Sequence, residues 1–497
     1  MRDVKETHIG KSKTGKTPKN RSFLFGAVVL GAGGILAKLL GVLYRIPLTN
    51  IVGAEGIGLY QMVFPFYTLL LTISGAGLPA AISKMTAEAL ARGDKRGADR
   101  IFKTALVSLS VLGLIASLLV FALHGLMARL QGNAGAALSY LGIAPALFFV
   151  ALISAFRGYF QGRQNMLPTA LSQITEQAVK IAFGLIFAKM LMRHGIAYAA
   201  LGALIGVSVS ELFAAIQLFI QYLFYRRREK KHEKKMLEYG GADAAQTGSK
   251  KNMFRQLFAI SIPITLGAII LPATQLIDSA LVINILKGGG LSVKISTVLY
   301  GLMTGHVMSV INMPVVLSVA VATAVMPRIA AAGAVGNKAG AEKSAGMALK
   351  AAFVTAVPCA LIMCFFAPQI IRILYGRGLR DDLLDEGRIA AQLLSITSFS
   401  TIYIAVMQVI TAALQAVGKI YVPVINLGIG TAIKIILNLA LISIPSVGIY
   451  GAAISTCACY AVAAILDYIA LRKYIGKCDI GLNEIFSFIR RRKKIPS

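Results

Sequence analysis

The sequence predicts an all-α integral membrane protein of about twelve transmembrane helices, set out as two six-helix lobes related by a pseudo-twofold axis along the membrane normal and spread as a V. Three observations predict it. Hydrophobic residues fill 57% of 497 positions and charged residues only 14%, with mean hydropathy +0.72, whereas a soluble domain carries roughly 25% charged residues. The apolar residues fall in runs of about 20 or more, the length that crosses hydrocarbon as a helix. The second half of the chain also repeats the first.

The runs place helices at 23–48, 60–83, 104–126, 137–160, 168–191, 197–224, 256–286, 297–326, 346–369, 389–415, 421–443 and 448–471. Lys5, Lys11, Lys13, Lys16, Lys19 and Arg21 precede the first run. That run is too long for the apolar region of a signal peptide and has no A-x-A site, so it is expected to stay as helix 1.

A net charge of +30 raises the question of nucleic acid, but the 51 Lys and Arg residues cluster at the ends of apolar segments. Alternating the loops between two sides puts 38 of them on the side of the N-terminal tail and 9 on the other, and leaves Lys38, Arg45, Lys180 and Lys434 inside helices. By the positive-inside rule the basic side is cytoplasmic. Multi-pass placement in a bacterial cytoplasmic membrane with both termini inside follows, and no nucleic-acid partner is expected. The chain divides into a basic tail 1–22, a first lobe 23–225, a basic inter-lobe loop 226–255, a second lobe 256–473 and a basic tail 474–497. The last alternates Ile480, Leu482, Ile485, Phe486 and Ile489 with polar residues and ends in Arg490 to Lys494, as a helix on the anionic inner leaflet would. Cys359, Cys364, Cys457, Cys459 and Cys478 lack metal or disulfide spacing and read as small core residues.

The repeat is legible residue by residue. Gly162-Arg163-Gln164-Asn165-Met166-Leu167-Pro168 recurs as Gly418-Lys419-Ile420-Tyr421-Val422-Pro423, and Ala178-Val179-Lys180-Ile181 as Ala432-Ile433-Lys434-Ile435. Leu201-Gly202-Ala203 matches Tyr450-Gly451-Ala452, and Pro79 followed by Gly93-Asp94 resembles Pro327 followed by Gly336-Asn337. An even number of spans per repeat makes both halves enter the membrane in the same direction, which sets the axis along the normal.

Charge inside a span is costly and marks function or pairing. Lys38 and Arg45 lie two turns apart on one face of helix 1 and are expected in a wet cavity, although Arg45 has snorkelling to the outer interface as its other reading. Glu176 and Lys180 stand one turn apart in helix 5, either as an intrahelical pair or as substrate groups. Lys434 repeats Lys180 without the acid, and an unpaired Lys434 invites an anion. Asp278 and Glu211, with Glu176, are candidates for a coupling cation, and helix–helix hydrogen bonds are their alternative. His306 reads as structural. Pro65, Pro145, Pro263, Pro272, Pro314 and Pro358 should bend their spans. There is no H-E-x-x-H, P-loop or G-x-S-x-G, so neither an enzyme, a metal site nor a cofactor is expected, and transport would be secondary.

The stretches Gly41-Val42-Leu43-Tyr44-Arg45-Ile46-Pro47, Val52-Gly53-Ala54-Glu55-Gly56-Ile57-Gly58-Leu59-Tyr60-Gln61 and Ala76-Gly77-Leu78-Pro79-Ala80-Ala81-Ile82-Ser83-Lys84 resemble the stage V sporulation protein B family of polysaccharide exporters. That family belongs to the multidrug, oligosaccharidyl-lipid and polysaccharide (MOP) exporter superfamily. The resemblance runs from residue 20 to about 475. It implies a flippase that moves an undecaprenyl-linked cell-wall precursor, such as lipid II, by alternating access. A sugar diphosphate headgroup needs a cationic, hydrated cavity, for which Lys38, Arg45, Lys84 and Lys180 are the cations. Flippases of this type often add two C-terminal helices, whereas the spans here end at helix 12.

Two other functions stay open on the sequence. One is a Na⁺- or H⁺-coupled multidrug exporter, which twelve helices suit but which usually has an acidic cavity. The other is a non-transporting scaffold for sporulation or cell-wall assembly, docking through its basic loop and tail.

Overall fold

The computed structural model describes residues 18–237, 250–334, 336–379 and 384–476. Most of the basic N-terminal tail, the middle of the inter-lobe loop and the C-terminal amphipathic stretch lie outside the described residues.

Helix α1 (Pro18–Thr72) is interrupted at Gly53, whose φ of 70° and ψ of −177° no helical residue adopts. The Arg45 guanidinium nevertheless lies 5.7 Å from the centroid of the Phe64 ring. Nineteen residues of unbroken helix would hold the two apart by about 28 Å, so the chain folds back at Gly53 and α1 is two antiparallel spans. The left-handed φ explains why glycine stands at this reversal. The second span runs on through a π-helical turn, Ile73–Gly77, into α2 (Leu78–Ala91). Spans three to six are α3 (Lys95–Leu130), α4 (Ala137–Gly162), α5 (Leu167–Leu191) and α6 (Ile196–Leu237).

The second lobe begins with α7 (Lys250–Gly288). Its next span is α8 (Val293–Gly301), a π-helical turn Leu302–Val307, and α9 (Met308–Ala334). After α10 (Lys338–Phe365) comes α11 (Ala367–Tyr375), too short to cross a bilayer. Helices α12 (Glu386–Thr397) and α13 (Ser400–Ala416) make one span bent by 44°, and α14 (Tyr421–Ile442) and α15 (Ile449–Tyr474) complete the lobe.

Among the described residues nine segments are long and apolar enough to cross a membrane, and the bent pair makes a tenth. The reversal at Gly53 divides the first of these in two, and α5, carrying Glu176, Lys180 and Lys189, supplies the remaining span. The expected twelve therefore stand. Two expectations shift: the single helix 389–415 is broken between Thr397 and Ser400, and the described parts of the 226–255 loop are helical, since α6 continues to Leu237 and α7 starts at Lys250.

The repeat is visible as matched turns. Asp94 caps α3 by accepting from the Gly97 amide at 2.6 Å, and Asn337 caps α10 by accepting from Gly340 at 2.8 Å. The glycines before them have φ of 79° and 69°.

Apolar residues also cover the outside. Val111, Leu118 and Phe121 of α3 are each more than half exposed, as expected of helices facing lipid. Inside, one buried cluster takes residues from both lobes, among them Leu48, Ile57, Tyr140, Tyr300 and Tyr375. Two further clusters are each almost confined to one lobe: Ile82, Phe102 and Tyr159 in the first, and Leu349, Ile410 and Leu471 in the second. The shared core lies towards the end away from the start of α1, and the separate cores lie towards the end where α1 begins. The broad shared core thus joins the lobes at the far end. Towards the basic end, among the described residues, α7 reaches across to the first lobe, where Leu257 enters its cluster and a Cβ on Gly77 would stand 2.3 Å from the Ser261 carbonyl oxygen.

Polar contacts reinforce the joined end. Asn50 Nδ2 donates to the Leu374 carbonyl at 2.8 Å, Gln131 Nε2 to Ser279 Oγ at 2.8 Å, Asn133 Nδ2 to Thr297 Oγ1 at 2.8 Å, and Lys287 Nζ to the Gly132 carbonyl at 2.8 Å.

Candidate functional site

A cavity of about 300 Å³ lies between the lobes. The first lobe lines it with Lys38 and Arg45 from the first span, Tyr60 and Phe64 from the second, and Lys180 from α5; the second lobe adds Asn312 of α9 and Gln408 of α13. Lys38 and Arg45 share this wall because seven residues make almost two full turns. A smaller cavity, about 110 Å³, shares Arg45, Phe64 and Asn312 and extends to Asp278, Lys434 and Asn438 in the second lobe. Arg45 is the cation common to both. Its other reading, snorkelling to an interface, does not describe a side chain that points between the lobes.

Among the described residues, Lys38, Arg45 and Lys180 have no carboxylate within ion-pair distance. Their near neighbours are aromatic: Arg45 stands 5.7 Å from the Phe64 centroid and Lys180 Nζ 5.8 Å from that of Tyr44. A ring face steadies a cation without cancelling its charge.

The carboxylates are arranged otherwise than the sequence suggests. Glu176 is paired with Arg157 of α4, 3.2 Å away, rather than with Lys180, and Arg157 also donates to Ser172 at 3.0 Å. The i, i+4 spacing made Lys180 the obvious partner, but the neighbouring helix presents a guanidinium that reaches two acceptors at once. Glu211 is buried and accepts from the Tyr67 hydroxyl.

Lys434 is likewise not unpaired. Its ammonium contacts Asp278 Oδ2, while Asn438 donates to Asp278 Oδ1 at 3.1 Å and is itself bonded by Ser455. The equivalent lysines of the two repeats are both 9% exposed, yet Lys434 has a carboxylate in contact and Lys180, among the described residues, has none within ion-pair distance. Lys84, by contrast, is exposed on α2 and loosely paired with Glu88 at 4.0 Å. His306 is fully buried, edge-on to Tyr375 at 4.7 Å between ring centroids, in keeping with a structural part. Cys359, Cys364, Cys457 and Cys459 are free thiols, and Cys478 lies outside the described residues.

Arg157, Tyr44, Tyr67 and Asn312 were not singled out from the sequence. A tyrosine or asparagine inside an apolar span carries no periodic signal of its own, and Arg157 falls near enough to a loop to be counted with the basic end.

Two lobes of six spans, joined at one end with a charged cavity between them, make a multi-pass membrane protein of the MOP exporter fold. The solved inward-facing structure of a multidrug resistance MATE family transporter of that superfamily superposes with a TM-score of 0.68 over 90% of this chain and 98% of its own, at 15% identity. The chain belongs to the polysaccharide biosynthesis protein family, whose model matches residues 23–332. The MatE model matches residues 263–440. Stage V sporulation protein B of Bacillus subtilis (strain 168) is 30% identical over 437 residues, 88% of this chain and 80% of the relative. The lipid II flippase MurJ of the same organism is 27% identical, over 91% of this chain and 83% of its own length.

Proposed function

We propose that this protein is a flippase that carries an undecaprenyl-linked cell-wall or polysaccharide precursor of the lipid II kind across the bacterial cytoplasmic membrane by alternating access. The observation that carries the reading is the wall of three cations, Lys38, Arg45 and Lys180, that line one cavity between the lobes and, among the described residues, have no carboxylate within ion-pair distance. Lys180 is 9% exposed, and a buried cation without an ion-pair partner costs about 3 kcal/mol on insertion scales; with Arg45 half-buried and Lys38 exposed on the same wall, an arriving anion would meet three cations at once. A diphosphate matches them: Arg45 can take two oxygens through its planar fork, and the lysines act as point charges. Leu36, Leu39 and Leu43, exposed on the same helix, give the polyprenyl tail an apolar track beside the headgroup. The membership in the polysaccharide biosynthesis family and the likeness to a named lipid II flippase support the same substrate class.

With the basic side cytoplasmic, the broad shared core closes the outer end, which fits the state that would load substrate from the cytoplasm. Both termini lie on that side, and the basic loop 226–255 and tail 474–497 would meet anionic inner-leaflet lipids. Glu211 and Glu176 are the groups through which a coupling cation would act. The molecule moves intact, with no covalent step. A multidrug exporter has the MatE match in its favour, but a cavity wall carrying Lys38, Arg45 and Lys180 disfavours cationic drugs.

The test is purified protein in proteoliposomes with a fluorescent undecaprenyl-diphosphate sugar, read by accessibility in the outer leaflet. Flipping is expected, and Lys38→Ala, Arg45→Ala or Lys180→Ala should each slow it by about tenfold or more. A protein that neither binds nor flips any polyprenyl-diphosphate sugar would remove this reading. Complementation of a strain depleted of its lipid II flippase gives the same answer in cells.

A further inference from the structure

The cation of the second lobe is treated differently from those of the first. Lys434 occupies the repeat position of Lys180 and reaches the cavity system, but Asp278 covers its ammonium. Asp278 is held from both sides: Lys434 takes Oδ2, Asn438 donates to Oδ1 at 3.1 Å, and Ser455 fixes Asn438 in turn. Three helices, α7, α14 and α15, combine to keep one carboxylate in place, far more than a lysine needs merely to enter a membrane. The consequence is electrical. Among the described residues, the cavity cations without an ion-pair partner, Lys38, Arg45 and Lys180, lie on the first lobe, and the wall contributed by the second is neutralised at Lys434.

We infer that Asp278 is an internal counter-anion that keeps Lys434 out of the anion site and so sets how tightly the headgroup is held. This rests on the flippase reading and deepens it. With Lys434 covered, a diphosphate is gripped by one lobe only. The lobes can then separate at the far end without tearing the headgroup from opposing cations. Were Lys434 free, the anion would bridge the lobes and hold them in the loading state, with binding strengthened at the expense of release. A bound anion stabilises whichever state it contacts more, so cations on both walls would bias the protein against opening.

The experiment measures binding of undecaprenyl diphosphate to the purified full chain, together with the flip rate. Asp278→Asn keeps the side-chain shape and frees Lys434; affinity should rise by about tenfold while the flip rate falls. Lys434→Gln leaves the carboxylate uncovered beside Arg45 and should weaken binding. The double variant Asp278→Asn/Lys434→Gln, neutral at both positions, should return towards the affinity of the unaltered protein. Opposite signs for the two single variants, with recovery in the double, are not produced by loss of folding. If both single variants weaken binding, or Asp278→Asn leaves it unaltered, the pair is a structural strut and the inference is wrong. Absence of any binding by the unaltered protein overturns the flippase reading, and this inference with it.

Discussion

The side-chain amide of Asn50 donates to the backbone carbonyl of Leu374 at 2.8 Å, tying the tip of the first lobe's leading hairpin to the short helix α11 of the second lobe. Asn50 precedes the Gly53 reversal by less than a turn, so it sits where the two lobes must part if the far end is to open. One hydrogen bond of this kind contributes about 1 kcal/mol, roughly a fivefold change in an equilibrium. Asn50→Ala should shift the protein by that factor towards a far-end-open conformation. Spin-label distances across the far end, with one label on each lobe, would register the shift; an unchanged distance distribution would show that the bond does not latch the lobes.

Backbone contact is the stronger constraint at the same end. A Cβ on Gly301 would stand 2.0 Å from the Ala54 carbonyl oxygen, and one on Gly58 would stand 2.3 Å from that of Thr297. The second span of each lobe can approach its counterpart only because both positions lack a side chain. Gly301→Ala should therefore cost about 1 to 3 kcal/mol of the closed far end. Cysteine accessibility at the far end should increase and thermal stability fall. Gly31→Ala, where nothing lies within 4 Å of the added carbon, is the control and should leave both unchanged or improve stability.

Hydropathy and the distribution of Lys and Arg were enough to read twelve spans, and the matched turns at Gly93-Asp94 and Gly336-Asn337 were enough to read two lobes, because both signals are local in the chain. The bend between α12 and α13 was not legible, since Ser398 and Phe399 carry neither proline nor glycine. The cavity was half legible. Lys38 and Arg45 share a face by helical spacing alone, but pairing between helices leaves no such mark. Glu176 meets Arg157 from another helix, and Asp278 meets Lys434 across 156 positions. Lys84 fits a motif yet ends up exposed, because the motif fixes a helix and not the direction of its last turn.

The Arg157–Glu176 pair has side chains only 15% and 12% exposed, so removing one partner strands the other in a poorly solvated place. Arg157→Gln should lower stability by about 3 kcal/mol. Arg157→Gln/Glu176→Gln should recover most of it, since two neutral amides carry no stranded charge. Thermal unfolding in detergent across the double-mutant cycle measures the coupling. Additive losses would mean that the 3.2 Å contact contributes little.

Lys180 offers the opposite case. It is 9% exposed and, among the described residues, has no carboxylate within ion-pair distance, with the Tyr44 ring as its neighbour. A buried charge of this kind weakens the fold, and a long apolar side chain of similar volume removes the desolvation cost while keeping the packing. Lys180→Met is expected to raise stability by about 2 kcal/mol and to abolish flipping. Lys434→Met, which strands Asp278, should lower stability instead. The two lysines are repeats of one another, so the contrast isolates what the counter-ion does. A rise in unfolding temperature with loss of transport marks Lys180 as a group kept for its ligand at the expense of the fold. If Lys180→Met lowers stability as Lys434→Met does, its ammonium is structural and the anion site must be sought at Lys38 and Arg45 alone.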